Sequence, residues 1–246
     1  MTTHIIIQAR MGSGRLPGKV MKDLCGHPMI YHVIERCRKS DFSDDVILAT
    51  TNNAQDGVLA EFFEENNISF FRGDEEDVLK RYYETALKFG SGNIVRVTAD
   101  CPLIDPLIID KCIQEFNKFA GMDYLSNIGA RTFPRGLDVE VFTFDALERA
   151  YKNAEQKYER EHVTPYIWEN KKGEFNIGKS LEADASYRRD YRLTVDYPED
   201  FELISEIYKS LYKENDIIDA RDAIKFLDEN PEMLNINADC KQREIK

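Results

Sequence analysis

Two short apolar runs, Ile5-Ile6-Ile7 and Val46-Ile47-Leu48-Ala49, together with the strand-like Ile94-Val95-Arg96-Val97, constrain this chain more than any other feature. A strand that is apolar at consecutive positions must be covered on both faces, and a parallel sheet layered between helices does this. Each run is followed by a polar stretch and then by helical periodicity. Pro28, suited to a first helical turn, opens a pattern through Met29, Ile30, Val33, Ile34 and Cys37. Helices are predicted over 57–65, 75–88 and 107–119, the second with Val78, Leu79, Tyr82, Tyr83 and Leu87 on or near one face. Ser69-Phe70-Phe71 reads as a further short strand. The alternation predicts an α/β fold with a mostly parallel, doubly wound sheet.

Beyond about residue 120 the pattern changes. Val139-Glu140-Val141-Phe142 alternates as a strand does, helices are predicted over 146–153 and 159–169, and 175–181 and 191–195 are strand candidates. Pro198 opens a late helix through Phe201, Ile204, Ile207 and Leu211. The 246 residues, 42% of them hydrophobic, suit a single domain over 1–246. Within it, about 125–180 is expected to form an inserted lobe for acceptor binding and dimerisation, and 241–246 a loose tail.

A net charge of −12 argues against nonspecific nucleic-acid binding and against an anionic membrane surface. No apolar run approaches the roughly 20 residues of a membrane span. The strand-like start lacks the basic region of a secretion signal. Five cysteines, an odd number without a CxxC pair, fit a reducing, cytoplasmic compartment.

The first strand delivers its carboxyl end into Gln8-Ala9-Arg10-Met11-Gly12-Ser13-Gly14-Arg15-Leu16-Pro17-Gly18-Lys19. Glycines let backbone N–H groups approach phosphate oxygens, and Arg and Lys neutralise phosphate charge. Three cations after a buried strand in an acidic chain make a solvated surface loop the weaker reading. Five residues separate Gly12 from Gly18 and Val20 follows Lys19, so this is no Walker A loop. The third glycine also falls one place late for a dinucleotide fingerprint, and the second strand ends in Thr50-Thr51-Asn52-Asn53 without an acid.

Residues 9–19, followed by Leu24, Gly26, Pro28 and Met29, resemble the signature of the cytidylyltransferase family of CMP-sugar-acid synthetases, which includes the CMP-KDO and CMP-sialic acid enzymes. The likeness spans about residues 4–205 and is greatest to the SpsF-like, spore-coat polysaccharide branch. It implies a Rossmann-like nucleotidyltransferase fold, CTP as donor, a required Mg²⁺ and a homodimer. Ala9, Arg10, Gly12, Ser13, Gly14, Arg15 and Lys19 would then hold the nucleotide, with Arg10, Arg15 and Lys19 on the triphosphate.

Asp100 in Thr98-Ala99-Asp100-Cys101-Pro102 and Asp196 in Val195-Asp196-Tyr197-Pro198 each end a strand before a proline-containing turn. A turn or cap aspartate is the ordinary alternative. Two such acids on separate strands suit an oxygen-ligated metal such as Mg²⁺, and both motifs resemble the family's metal carboxylates. Neither has an obvious basic neighbour in sequence, which predicts mutual repulsion relieved by a divalent cation. The resemblance also marks Arg72 as a base contact, with Asp77 and Arg81 nearby, although the macrodipole alone accounts for Glu75 and Glu76. Arg135, Asp138 and Glu140 are acceptor candidates, and so is His162, unless it is a structural histidine. Cys101 is not assigned as a nucleophile, since nucleotidyl transfer needs none.

The implied reaction is attack of an acceptor oxygen on the α-phosphorus of CTP, with Arg15, Lys19, Asp100 and Asp196 as the catalytic set. A nucleotide-sugar-dependent glycosyltransferase is the rival enzyme class, but Asp100-Cys101-Pro102 lacks the second acid of a DxD pair. A catalytically silent nucleotide-binding protein would be expected to lack one of these charges, and none is missing.

Overall fold

The computed structural model describes residues 1–242. Its sheet comprises β1 (Thr3–Gln8), β4 (Asp45–Thr51), β5 (Ser69–Gly73), β6 (Asn93–Thr98), β7 (Tyr124–Ser126) and β8 (Glu140–Thr143), while β2 (Asp23–Leu24) and β3 (His27–Pro28) pair separately. The order β5-β4-β1-β6-β8-β7 puts β1 at the centre. The first four strands run parallel, and β8 is antiparallel to both neighbours. The fold is thus the mostly parallel, doubly wound α/β sheet read from the sequence.

The consecutive apolar residues of β1 divide between two cores. Ile5 and Ile7 face α1 (Met29–Cys37), α2 (Gly57–Glu65) and α4 (Pro106–Asn117), whereas Ile6 packs with α3 (Val78–Phe89) and α5 (Phe144–Asn153). All three isoleucines are fully buried. At about 1.5–3 kcal/mol for each aliphatic side chain removed from water, this doubly covered strand anchors the sheet.

The segment expected as an inserted lobe, 125–180, adds to the same sheet through β8 and most of β7, and α5, α6 (Lys157–His162) and α7 (Pro165–Glu169) pack on the face covered by α3. The single helix predicted over 159–169 is broken: Val163 takes φ 72°, and Pro165, which has no N–H, starts α7. The predicted helix over 75–88 begins at Val78, because Asp77 caps it by accepting from the Lys80 amide at 2.9 Å.

Neither 175–181 nor 191–195 forms a ladder; each makes one isolated bridge, Tyr124 to Ile177 and Arg135 to Arg192. Pairing at the second stops where Gly136 turns with φ 101° and lets the Leu193 backbone come within 2.6 Å of where a Cβ would stand. After α8 (Pro198–Leu211), α9 (Ala220–Glu229) is a helix the sequence reading did not identify. Of the expected loose tail, 243–246 lies outside the described residues. Lys241 and Gln242 are engaged, by Tyr197 Oη donating to the Lys241 carbonyl at 3.4 Å and Arg192 donating to Gln242 Oε1 at 2.7 Å.

Candidate active site

Parallel strands deliver their carboxyl ends to one edge of the sheet, where ligands of such folds bind. Gln8, Thr51, Gly73 and Thr98 end β1, β4, β5 and β6 there, so the loops after them converge. Asp56, fully buried, fixes the first of these loops by accepting from the Met11 amide at 2.7 Å and from the Thr51 hydroxyl. Met11 in turn accepts from the amides of Ser13 and Gly18, at 2.8 and 2.9 Å, closing the Gly12–Gly18 turn on itself. Gly18 has φ 68° there, a conformation that favours glycine.

That turn projects Lys19 inward. Its ammonium donates to Asp100 Oδ2 at 3.1 Å, Asp196 Oδ1 at 3.1 Å and the Val195 carbonyl at 2.6 Å, so all three of its protons are used. The two strand-end aspartates therefore do come together, but across a cation that lies 81 residues from Asp100 and 177 from Asp196 in sequence. Desolvation opposes the charge on Lys19, yet Asp100 and Asp196 outweigh it and raise its pKa. Desolvation likewise pushes Asp100 up, while Lys19 and the Thr98 hydroxyl outweigh it and hold the carboxyl below its ordinary value. The expectation that these acids repel without a basic neighbour is overturned: the fold supplies Lys19 to both from a loop far away in sequence, and Asp196 has a second cation in Arg192, four places before it.

Arg15 reaches Asp196 Oδ1 at 3.0 Å and lies over the Tyr197 ring, 4.6 Å from its centroid, with its side chain one-third exposed. Arg192 takes the other oxygen, Asp196 Oδ2, at 3.0 Å. Arg192 is held by Asp200, whose fully buried carboxylate also accepts from the amides of Asp196 and Tyr197 and from Asn237. The loops of Asp100 and Asp196 are stitched together by the Val195 amide donating to the Asp100 carbonyl at 2.8 Å. Asp100 Oδ1 accepts from Thr98 Oγ1 at 2.5 Å.

Sequence reasoning missed Arg192, Asp200 and Asp56. Arg192 sits four places before Asp196, a separation short enough for the two side chains to pair. Asp200 is the acid at the third position of a proline-led helix, the pattern of a capping box.

The other sequence candidates are more dispersed. Arg10 is exposed and pairs loosely with Glu75 at 3.4 Å. Ala9 is buried and donates its amide to the Ala49 carbonyl at 3.2 Å; Ser13 is partly exposed and Gly14 exposed. Arg72 donates to the carbonyls of Thr51 and Asn53, at 2.9 and 2.7 Å, so its guanidinium straps the loop after β4. Asp77 binds Arg160, and buried Arg81 donates to the Asp74 and Glu75 carbonyls.

Asp138 is paired with Arg131. Arg135 makes no side-chain hydrogen bond or ion pair among the described residues; desolvation and the nearby charges of Arg131 and Arg192 lower its pKa, against the pull of Asp138. Glu140 is buried and engaged by Arg96, Tyr124 and Thr164. His162 lies in the last turn of α6, partly exposed. Burial, reinforced by Asp100, pushes the Cys101 thiol far up, which fits its not being a nucleophile.

A loop of glycines and cations at the carboxyl edge of a parallel sheet, facing two convergent aspartates, defines a protein that handles a phosphorylated nucleotide. The comparisons identify which. The cytidylyltransferase family model matches residues 4–224, and the chain belongs to that family. It is 43% identical over 242 residues to an uncharacterized protein of Methanocaldococcus jannaschii, covering 98% of this chain and 96% of that one. It is 33% identical over 237 residues to the spore coat polysaccharide biosynthesis protein SpsF of Bacillus subtilis, covering 92% and 94%. The structure of a cytidylyltransferase from Leptospira borgpetersenii superposes with a TM-score of 0.88 at 33% identity, covering 99% of each chain. The chain is a nucleotidyltransferase of the CTP-dependent kind.

Proposed function

We propose that this protein transfers CMP from CTP to a small acidic acceptor, a sugar acid or related anion, with release of pyrophosphate and with Mg²⁺ as its metal. The observation that carries the reading is the meeting of Lys19 and Arg15 with Asp100 and Asp196 at the sheet's carboxyl edge. An acceptor hydroxyl oxygen forms a bond to the α-phosphorus and gives its proton to solvent, the bond from that phosphorus to the bridging oxygen breaks, and the electron pair leaves with pyrophosphate. Arg15 and Lys19 are placed to neutralise the charge that builds on that leaving group. Arg135, with no ion pair among the described residues, is the free cation for the acceptor's anionic group.

Two carboxylates suit Mg²⁺, which is commonly held by one or two acids together with substrate phosphates and waters. Among the described residues no cluster of three or more metal-type side chains occurs, so nucleotide oxygens would complete the shell. Asp100 and Asp196 would hold the ion, and it would supply electrophilic help at the α-phosphate. Arg192 and Thr98 would keep their two other oxygens turned away. The same reading makes the protein a cytoplasmic homodimer joined through 125–180.

Pyrophosphate release from CTP, measured with Mg²⁺ over a panel of sugar acids and phosphorylated small molecules, tests the reaction. Release that requires one acidic acceptor supports it. Sugar transfer from a nucleotide-sugar without pyrophosphate release would replace it with a glycosyltransferase reading.

A further inference from the structure

Resting on the proposed metal-dependent reaction, we propose that Lys19 and the divalent cation are alternative occupants of one site, so that the cation can settle only when Lys19 has moved off the two aspartates. Of the four carboxylate oxygens, two are committed elsewhere: Asp100 Oδ1 to the Thr98 hydroxyl and Asp196 Oδ2 to Arg192. Arg192 does not move freely, because Asp200 grips its Nε and one terminal nitrogen at 2.9 and 3.0 Å. The two oxygens left to face one another are Asp100 Oδ2 and Asp196 Oδ1, the second also paired with partly exposed Arg15 at 3.0 Å. Both are bound by the Lys19 ammonium at 3.1 Å, and the third proton of that ammonium is fixed on the Val195 carbonyl at 2.6 Å.

Geometry and charge both make the two occupants exclusive. Oxygen ligands lie at about 2.0–2.1 Å from Mg²⁺, so the ion needs the space the ammonium fills. A divalent ion arriving alone also meets Lys19, Arg15 and Arg192 close around the two acids. Nucleotide phosphates change the balance: they bring negative charge for Lys19 and Arg15 to follow, and they bring further oxygens for the metal. Lys19 is therefore a placeholder that keeps the paired carboxylates compensated and then passes to the phosphates as the cation takes its place. If Lys19 holds the site nine-tenths of the time or more, the apparent affinity for a lone cation falls by about tenfold or more.

The test is Mn²⁺ binding to the full chain without nucleotide, read from the electron paramagnetic resonance signal of free Mn²⁺. Wild type, Lys19→Met, Lys19→Gln and Lys19→Met/Asp100→Asn are compared, with melting temperature recorded with and without Mn²⁺. Removing the ammonium is expected to tighten Mn²⁺ binding about tenfold or more, and Mn²⁺ is expected to raise the melting temperature of the Lys19 variants and not of wild type. Asp100→Asn should abolish that gain. Wild type binding Mn²⁺ as tightly as the Lys19 variants, or a gain that survives loss of Asp100, overturns the proposal. Should Lys19→Met not fold, Lys19→Gln retains a donor for the carboxylates, and micromolar Mn²⁺ binding by wild type alone is enough to refute. CTP turnover by wild type is scored separately. Turnover without the Mn²⁺ gain discards the placeholder and keeps the reaction, whereas the gain without turnover keeps the placeholder and discards the reaction.

Discussion

Asp200→Asn is the substitution whose cost follows most directly from the structure. The carboxylate is fully buried and accepts five hydrogen bonds: Arg192 Nε and Asn237 Nδ2 on Oδ1, each at 2.9 Å, and on Oδ2 Arg192 Nη2 at 3.0 Å with the amides of Asp196 and Tyr197 at 2.9 and 3.0 Å. Asparagine makes one of these atoms an NH₂ group, so at least two donors would face a donor. Each buried group left unsatisfied costs about 1–3 kcal/mol. Removing one partner of a buried ion pair costs about 3–5 kcal/mol, and the two descriptions overlap, so the expected loss is about 3–5 kcal/mol rather than their sum. For a chain of this size that is a fall in melting temperature of roughly 10 °C. Desolvation pushes the Asp200 pKa up, but Arg192, the Asp196 amide and Asn237 outweigh it and hold it below the ordinary value. A depressed carboxylate contributes stability that is present above its unfolded pKa of about 3.9 and is lost as pH falls through the folded value. Urea denaturation should therefore show a wild-type advantage that is full near neutral pH and shrinks below about pH 4. A loss under about 1 kcal/mol, or an advantage unchanged by pH, would refute the assignment of Asp200 as the post on which Arg192 and the Asp196 turn are built.

Arg15→Ala should weaken CTP binding by about tenfold, the order of one charge-assisted contact, with an unchanged melting temperature because its side chain is one-third exposed. Normal CTP affinity in calorimetry would remove Arg15 from the triphosphate site. Asp100→Asn and Asp196→Asn should each lower CTP turnover by orders of magnitude, and each should lower stability, since Lys19 loses a partner; a variant that melts above wild type would contradict the bridging role. Light scattering at micromolar concentration should give a dimer, and a monomer would remove the proposed interface over 125–180.

The sheet was legible because its strands are apolar on consecutive residues, a pattern that only double coverage explains. Ile5, Ile6 and Ile7 announced β1 and its carboxyl end, and hence the edge at which Lys19 and Asp100 stand. The segments 191–195 and 159–169 were misread because local pattern was overruled, by the Gly136–Leu193 backbone approach in one and by Pro165 in the other. The chemistry at each strand end was readable as composition, but not its pairing. Nothing in the neighbourhood of Asp100 reveals that Lys19 compensates it, because 81 residues separate them and only the topology closes the gap. The same holds for Glu140, an acceptor candidate by resemblance: its partner Arg96 stands on the neighbouring strand, 44 residues away.

In the proposed reaction the loop of Arg15 and Lys19 serves a cytidine nucleotide. Calorimetric titration of the wild-type chain with CTP, UTP, ATP and GTP, each with Mg²⁺, tests it most directly. One site per chain is expected to bind CTP most tightly, UTP less and the purine nucleotides hardly at all. A preference for ATP or GTP over CTP would contradict it.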